Sequence, residues 1–365
     1  MEIQDLSSVG NHFFLGLQPT TSLHDNDKYL LEALKPAGVI LFKSNFMHDM
    51  PYDEWLESHR RLIDDVKKAI GREKFFLAID HEGGRVCRTP HPVTRFISAS
   101  QWKERSADVA RAMGVELASI GMNMSFAPVM DIHTNPDNPV IGDRAFATTP
   151  HEVSQYGLEF MDGIQGTGVW ACVKHFPGHG DTNEDSHHAL PVINLDRKEL
   201  AEREFVPFKA AVDHDIKMIM TAHIMFPNID PGLPATLSKK VTQDILRDEF
   251  GYGGVVVSDD IGMHAMDAYF KDGDTMKQFL EAGNDMVMIC AHFTDTQRVV
   301  ALAEGLKEAT KDAKFRSHYQ EPSHDRVAAM LAETKMNPIE KLADQVFEDH
   351  RNIVGVYKQK TVEVV

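Results

Sequence analysis

Eight short apolar runs recur along this chain, each followed by a stretch of helical period, and that alternation restricts the fold more than any other feature. The runs are Phe13–Leu17, Gly38–Phe42, Phe75–Ile79, Met124–Val129, Val169–Val173, Lys217–Thr221, Gly254–Val257 and Met286–Ile289. Helical patterns lie between them near Asp25–Leu34, Asp53–Ile70, Ala99–Ile120, Pro150–Gln165, Arg197–His214, Lys239–Glu249, Thr275–Ala282 and Asp295–Glu308. Nearly continuous apolar strands are buried on both faces, and without antiparallel hairpin signals they read as parallel. Eight such units predict an α/β fold, a (β/α)8 TIM-type barrel in a single domain. A doubly wound open sheet would normally use fewer strands and a Gly-rich turn after the first, and no GxGxxG or GxxxxGK is present. The barrel is expected over residues 1–310, with a C-terminal helical extension, residues 311–365, packed on it. Within that tail, Lys311–Ser323 reads as a polar loop, and Asp325–Glu333 and Pro338–Tyr357 as helices.

Barrels of this kind place their chemistry at the carboxyl ends of the strands. Strand three runs into Asp80-His81-Glu82-Gly83-Gly84-Arg85-Val86-Cys87-Arg88, and strand four into Asp131 and then Asn135 to Phe146. Strand six ends in Ala222-His223 and strand seven in Ser258-Asp259-Asp260. Strand five runs into the most unusual stretch, Lys174 to Pro191, KHFPGHGDTNEDSHHALP, which holds four His and three acidic residues. Such a loop is too long and too charged for a plain connection. Carboxylates, Arg and His at equivalent ends of successive strands converge on one mouth, which is where an active site is expected.

An Asp at the end of a buried strand suits a nucleophile, and one of Asp259 and Asp260 suits a cap of the segment that follows. In the His-rich loop, Asp185 and His187 flank Ser186, close enough for the carboxylate to orient the imidazole as an acid/base. The competing reading is a metal site built from His175, His179, Asp181, Asp185, His187 and His188. No H-E-x-x-H or His-x-His spacing favours it, so no metal is expected. Asp80, Arg88, Arg144 and Lys174 read as polar clamps for a hydroxyl-rich ligand, with Arg144 alternatively paired to Asp143.

Charge and cysteine usage exclude some partners. With 38 Lys+Arg against 55 Asp+Glu the net charge is −17, which disfavours nucleic acid and anionic membrane. Three widely spaced cysteines, Cys87, Cys172 and Cys290, without a CxxC pair, read as buried thiols in a reducing compartment. The start of the chain lacks a basic segment leading into an apolar core, and no run approaches a membrane span, so a soluble cytoplasmic protein is expected. A monomer is the expected state.

The chain resembles the bacterial β-N-acetylglucosaminidases of glycoside hydrolase family 3, the single-barrel type of peptidoglycan recycling. The likeness is carried by GVILF (Gly38–Phe42), AIDHEGGRVCR (Ala78–Arg88), Ser125–Phe146, the His-rich loop, TAH (Thr221–His223), GGVVVSDDIGM (Gly253–Met263) and EAGNDMVMIC (Glu281–Cys290). The resemblance implies a nucleophile at Asp259 and an acid/base at His187, oriented by Asp185. It also implies sugar-binding roles for Asp80, Arg88, Arg144, Lys174 and His175. His81 and Cys87 stand where the family commonly has Gln, and Lys43-Ser44-Asn45 departs from its usual turn. The implied activity is retaining exo-hydrolysis of terminal β-linked N-acetylglucosamine from muropeptide fragments, and the resemblance implies no cofactor. The alternatives are a family 3 phosphorylase or β-glucosidase, or a sugar-binding barrel without activity.

Overall fold

The computed structural model describes residues 5–182, 190–263, 266–270, 273–291 and 295–355. Eight parallel strands close into a barrel, β1 Phe13–Gly16, β2 Gly38–Leu41, β3 Phe76–Ile79, β4 Met124–Ser125, β5 Trp170–Phe176, β6 Met218–Thr221, β7 Val255–Asp260 and β8 Met286–Ile289. Each pairs with its neighbours in sequence, and β1 pairs with β8 through Phe13↔Val287, Phe14↔Met288 and Leu15↔Ile289. The (β/α)8 expectation is met, and the eight apolar runs are the eight strands.

Strand alternation sorts side chains into two cores. Phe14, Ile40, Phe76, Ala78, Cys172, Met218, Met220, Val255, Val257, Met286 and Met288 fill the barrel interior. Their neighbours, such as Leu15, Val39, Leu77, Val173, Ile219, Val256 and Val287, face the surrounding helices. Each fully buried side chain of this size contributes about 1.5–3 kcal/mol, so the alternation sets strand register firmly. Methionine at five interior positions, including Met124, fills an irregular space where branched side chains would leave gaps.

Helix signals hold where caps support them. Asp25–Leu34 begins on a capping box between His24 and Asp27, and Pro150–Gln165 on the Thr149 cap with Pro at its first turn. Two long helix expectations break. Ala99–Ile120 becomes Ala99–Trp102, a 3-10 turn Lys103–Arg105 and Ser106–Ser119. Arg197–His214 becomes Arg197–Glu202 and Phe205–Asp213, with Arg203 outside helical geometry. The fourth strand is also shorter than expected; beyond Ser125 the chain keeps to β5 irregularly, the Ala127 and Pro128 carbonyls accepting from the N–H groups of Cys172 (3.0 Å) and Lys174 (3.2 Å) and Val129 bridging Lys174.

Two short antiparallel hairpins sit among the loops, His81–Gly83 with Val86–Cys87 and Met225–Phe226 with Asp230–Pro234, contrary to the all-parallel expectation. The first turns on Gly83 and Gly84, both at positive φ (91° and 55°), which L side chains rarely adopt. The tail differs from expectation at its start. Lys311–Ser323 is helical from Ala313, because Asp312 caps the turn and Phe315 is buried against the barrel helices. Glu321–Glu333 packs Val327, Met330 and Leu331 against the interior core, and Asp344–Val354 buries Phe347 against Tyr52.

The foot of β7 and β8 is held by Asp285, which is fully buried. It accepts from the main-chain N–H of Val256 (2.7 Å), from Arg247 (2.7 Å) and from Arg326 of the tail through two nitrogens (3.0 and 2.7 Å). Burial would raise this carboxyl, and the two guanidiniums reverse the effect and hold it below its ordinary range.

Candidate functional site

At the carboxyl end of the barrel lies a cleft of about 300 Å³. Asp80, Arg88, Arg144, Lys174, His175 and Asp259 all line it, so six of the eight site residues read from the sequence converge there. The other two, Asp185 and His187, lie outside the described residues, within the loop that leaves the site at Thr182 and returns at Leu190.

Lys174 and His175 lie on β5 directly after its apolar run ending at Val173, and the Lys174–His175 and Phe176–Pro177 peptides are cis. The Lys174 ammonium is nearly inaccessible and lies 2.8 Å from Asp80 and 2.5 Å from Glu82. Glu82 also takes both arms of Arg144, Nε at 2.8 Å and Nη2 at 2.9 Å. Burial opposes charge on each of these groups, yet mutual attraction outweighs it. Arg144 and Lys174 hold Glu82 well below the carboxylate range, and Asp80 and Glu82 push Lys174 up. Arg88 stands further off, 3.8 Å from Asp80. Arg144 therefore pairs with Glu82 and not with Asp143, whose carboxylate accepts from Ser98 instead.

Glu82 was missed by sequence reasoning, although a signal existed. Residues two apart on an extended segment share a face. Asp80 and Glu82 are such a pair, and Lys174 bridges them.

His175 is set by a second buried carboxylate. Asp131 accepts from His175 Nδ1 at 2.6 Å and from the main-chain N–H groups of His175 (3.2 Å) and His179 (2.7 Å). One carboxylate thus orients a ring at the site and ties down the first turn of the His-rich loop. Burial pushes His179 down to about 4, so its ring is neutral at ordinary pH, 2.9 Å from the Thr182 hydroxyl. The turn is packed tightly. A Cβ on Gly180 would lie 1.6 Å from the Ile132 carbonyl oxygen, so only glycine fits. Asn138 donates to the carbonyls of His179 (2.9 Å) and Gly180 (3.0 Å), and Arg203 binds Asp181 at 2.8 Å. Beneath Gly178, Glu204 accepts from Arg203 at 2.8 Å. Burial pushes this carboxyl up to about 7, and Asp131 and Asp181 add to the effect.

The two aspartates ending β7 differ in surroundings. Asp260 Oδ1 accepts from the main-chain N–H groups of Gly262 and Cys290, both at 2.9 Å, which ties β7 to the end of β8. Burial raises its carboxyl. Asp259 accepts only its neighbour's N–H, that of Asp260 at 2.8 Å, among the bonds described for it. Burial pushes Asp259 up, but His175, His223, that N–H and Lys174 more than compensate, and its carboxyl is lowered. The result is an ionised carboxylate facing a cleft whose other walls carry paired donors and acceptors. Such a carboxylate can attack an electrophilic carbon or stabilise a developing cation.

Cys87 and Cys172 are buried free thiols as expected, whereas Cys290 is half-buried and lines the cleft. Among the described residues no group of three or more His, Cys, Asp or Glu side chains is arranged to hold a metal ion. None of the described helices is long and apolar enough to cross a membrane.

Comparison with known proteins fits this geometry. Residues 2–345 match the family described as "Glycosyl hydrolase family 3 N terminal domain". A β-hexosaminidase of Thioalkalivibrio sulfidiphilus is 36% identical over 293 residues, covering 77% of this chain and 81% of that protein. Among solved structures, a glycoside hydrolase family 3 β-N-acetylglucosaminidase from Paenibacillus sp. superposes with a TM-score of 0.84 at 32% identity, over 95% of this chain and 67% of that one. NagZ from Neisseria gonorrhoeae, solved with N-trifluoroacetyl-D-glucosamine, gives a TM-score of 0.76 at 25% identity over 94% of this chain and 98% of its own. The match spans the barrel and every strand end that lines the cleft: this chain belongs to glycosyl hydrolase family 3 and is a glycoside hydrolase.

Proposed function

We propose that the protein is a retaining exo-β-N-acetylglucosaminidase acting as a cytoplasmic monomer on peptidoglycan (muropeptide) fragments. The observation that carries the reading is the pairing of an ionised Asp259 with a set of buried polar clamps in one cleft. The names of the structural neighbours point to the same sugar, and that of the relative to a β-linked hexosamine.

Asp259 is the nucleophile. Its carboxylate attacks the anomeric carbon, the glycosidic bond breaks, and the leaving oxygen takes a proton from His187. His187, then neutral, removes a proton from water, which attacks the same carbon and frees Asp259. Asp185 orients the His187 ring. Both residues are assigned from the sequence motif alone, and the turn ending at Thr182 supplies the anchored base from which their loop departs. Asp80, Arg88, Arg144, Lys174 and His175 hold the sugar: Asp80 accepts from its hydroxyls while Lys174 and the arginines donate. Neither a metal nor a cofactor enters either step.

A 2-fluoro sugar carrying an activated leaving group tests the nucleophile. Mass spectrometry of the digested enzyme is expected to find the label on Asp259. Label on Asp260, or undiminished labelling of Asp259→Asn, refutes the assignment. Turnover of aryl glycosides of N-acetylglucosamine and of glucose, with and without phosphate, separates hydrolase from β-glucosidase and phosphorylase. Absence of turnover on all of them leaves the sugar-binding reading.

A further inference from the structure

A second cavity, of about 330 Å³, opens beside the catalytic cleft between the loops that follow β2 and β3. Its charged lining is of one sign. Lys43, Arg95 and Arg351 face it together with the imidazoles of His48 and His91, and among the described residues no carboxylate lines it. In a chain where acidic residues outnumber basic ones by 55 to 38, a cavity with only basic charged groups departs from the general surface. Among the described residues, neither Lys43 nor Arg351 makes an ion pair with a carboxylate. Arg351 donates to the carbonyl of Pro92 at 3.4 Å, and Lys43 offers its own carbonyl to His48 Nε2 at 2.9 Å. Glu116, behind the wall residue Thr94, is buried and occupied by Thr94 (2.5 and 2.7 Å) and His350 (2.7 Å).

The wall itself is firm. Pro92, Val93 and Thr94 are buried, and the buried Trp55 indole donates to the His91 carbonyl at 2.8 Å. The cavity also adjoins the site. Phe42 and Arg88 line the catalytic cleft, and their chain neighbours Lys43, Cys87 and Thr89 line this one.

We infer that this cavity is an anion subsite that takes a carboxylate or phosphate group. On the glycosidase reading above, on which its placement in catalysis rests, the anion is carried by the part of the substrate beyond the scissile bond. A net charge of −17 repels such a substrate at long range, and a local cluster of cations offsets that repulsion where the leaving portion docks. Two partly exposed cations acting on one anion give about a three- to tenfold preference.

The test compares N-acetylglucosamine β-linked to N-acetylmuramic acid with the methyl ester of the same disaccharide. Lys43→Gln/Arg351→Gln is the variant, and 4-nitrophenyl β-N-acetylglucosaminide is the neutral control. Wild type is expected to show a KM for the acid about three- to tenfold below that for the ester, and the variant equal values, with turnover of the neutral control unchanged. Calorimetric titration with inorganic phosphate covers the other source. Saturable heat in wild type that the variant lacks, without an acid-over-ester preference, assigns the subsite to a free anion. The proposal is overturned if neither signal appears, or if either persists undiminished in the variant. Should the double variant fold poorly, Lys43→Gln alone, at an exposed position, carries the same comparison. If wild type does not cleave the neutral control, the glycosidase reading falls, while the phosphate titration still decides the cavity.

Discussion

Glu204 makes the stability of this enzyme fall with rising pH in a predictable window. Its carboxyl lies under the Gly178 turn, nearly inaccessible, with one oxygen bonded to Arg203 and the other without a hydrogen-bond partner. Burial raises it from an ordinary value of 4.5 to about 7. In the unfolded chain the group ionises through 4.5, and in the folded chain only through 7. Its contribution is therefore fully present below pH 4.5, is lost progressively between 4.5 and 7, and stays lost above. At 1.36 kcal/mol per pH unit the full loss is about 3 kcal/mol. Glu204→Gln removes the titration while keeping an amide oxygen for Arg203. Urea denaturation of both proteins at several values between pH 5 and 8 is the assay. Relative to wild type, the variant is expected to gain about 2–3 kcal/mol across that range. A stability difference that stays flat with pH refutes the argument, and one that changes in the opposite sense means that Arg203 dominates and the carboxyl is charged when folded.

Other outcomes follow from the site. Glu82→Gln leaves Lys174 and Arg144 buried with half their compensating charge, so a stability loss of about 3–5 kcal/mol and a raised KM for aryl N-acetylglucosaminides are expected in melting and rate measurements. Asp260→Asn keeps the one oxygen that accepts from Gly262 and Cys290 and is expected to fold and turn over near wild type. Asp260→Ala is expected to lose about 1–3 kcal/mol in denaturation, and Asp259→Asn all detectable covalent intermediate in intact-mass experiments. With His187→Ala, glycosylation rates across aryl glycosides are expected to depend steeply on leaving-group pKa where wild type is shallow. Equal slopes exclude His187 as the acid.

How much of this was legible beforehand depends on how local each signal was. Strand positions were readable because eight apolar runs carry their own period. Asp80, Lys174, His175 and Asp259 could be placed at the cleft beforehand because they stand at or next to strand ends. Glu82 escaped because its importance lies in what crosses from β5, Lys174, and from the loop after β4, Arg144; no local pattern announces a shared counter-ion. Asp131 was noted as a strand end, but its hold on His175 and His179 joins segments 44 and 48 residues apart. The helix start at Ala313 was misread as loop because one buried residue, Phe315, anchors an otherwise polar stretch. The hairpins arose from two-residue pairings too short to show alternation.

Strand β7 behaves as a rod fixed at both ends. At its foot Asp285 grips the N–H of Val256, and at its head Asp260 grips that of Cys290, just past the end of β8. Asp259 stands next to the upper clamp, so its reach toward a ligand is set by the frame and not by a hinge. Variation that retunes which ligand is accepted will therefore accumulate on the facing loops, around Lys43, Arg88 and Val140, where a side chain can change without bending the rod.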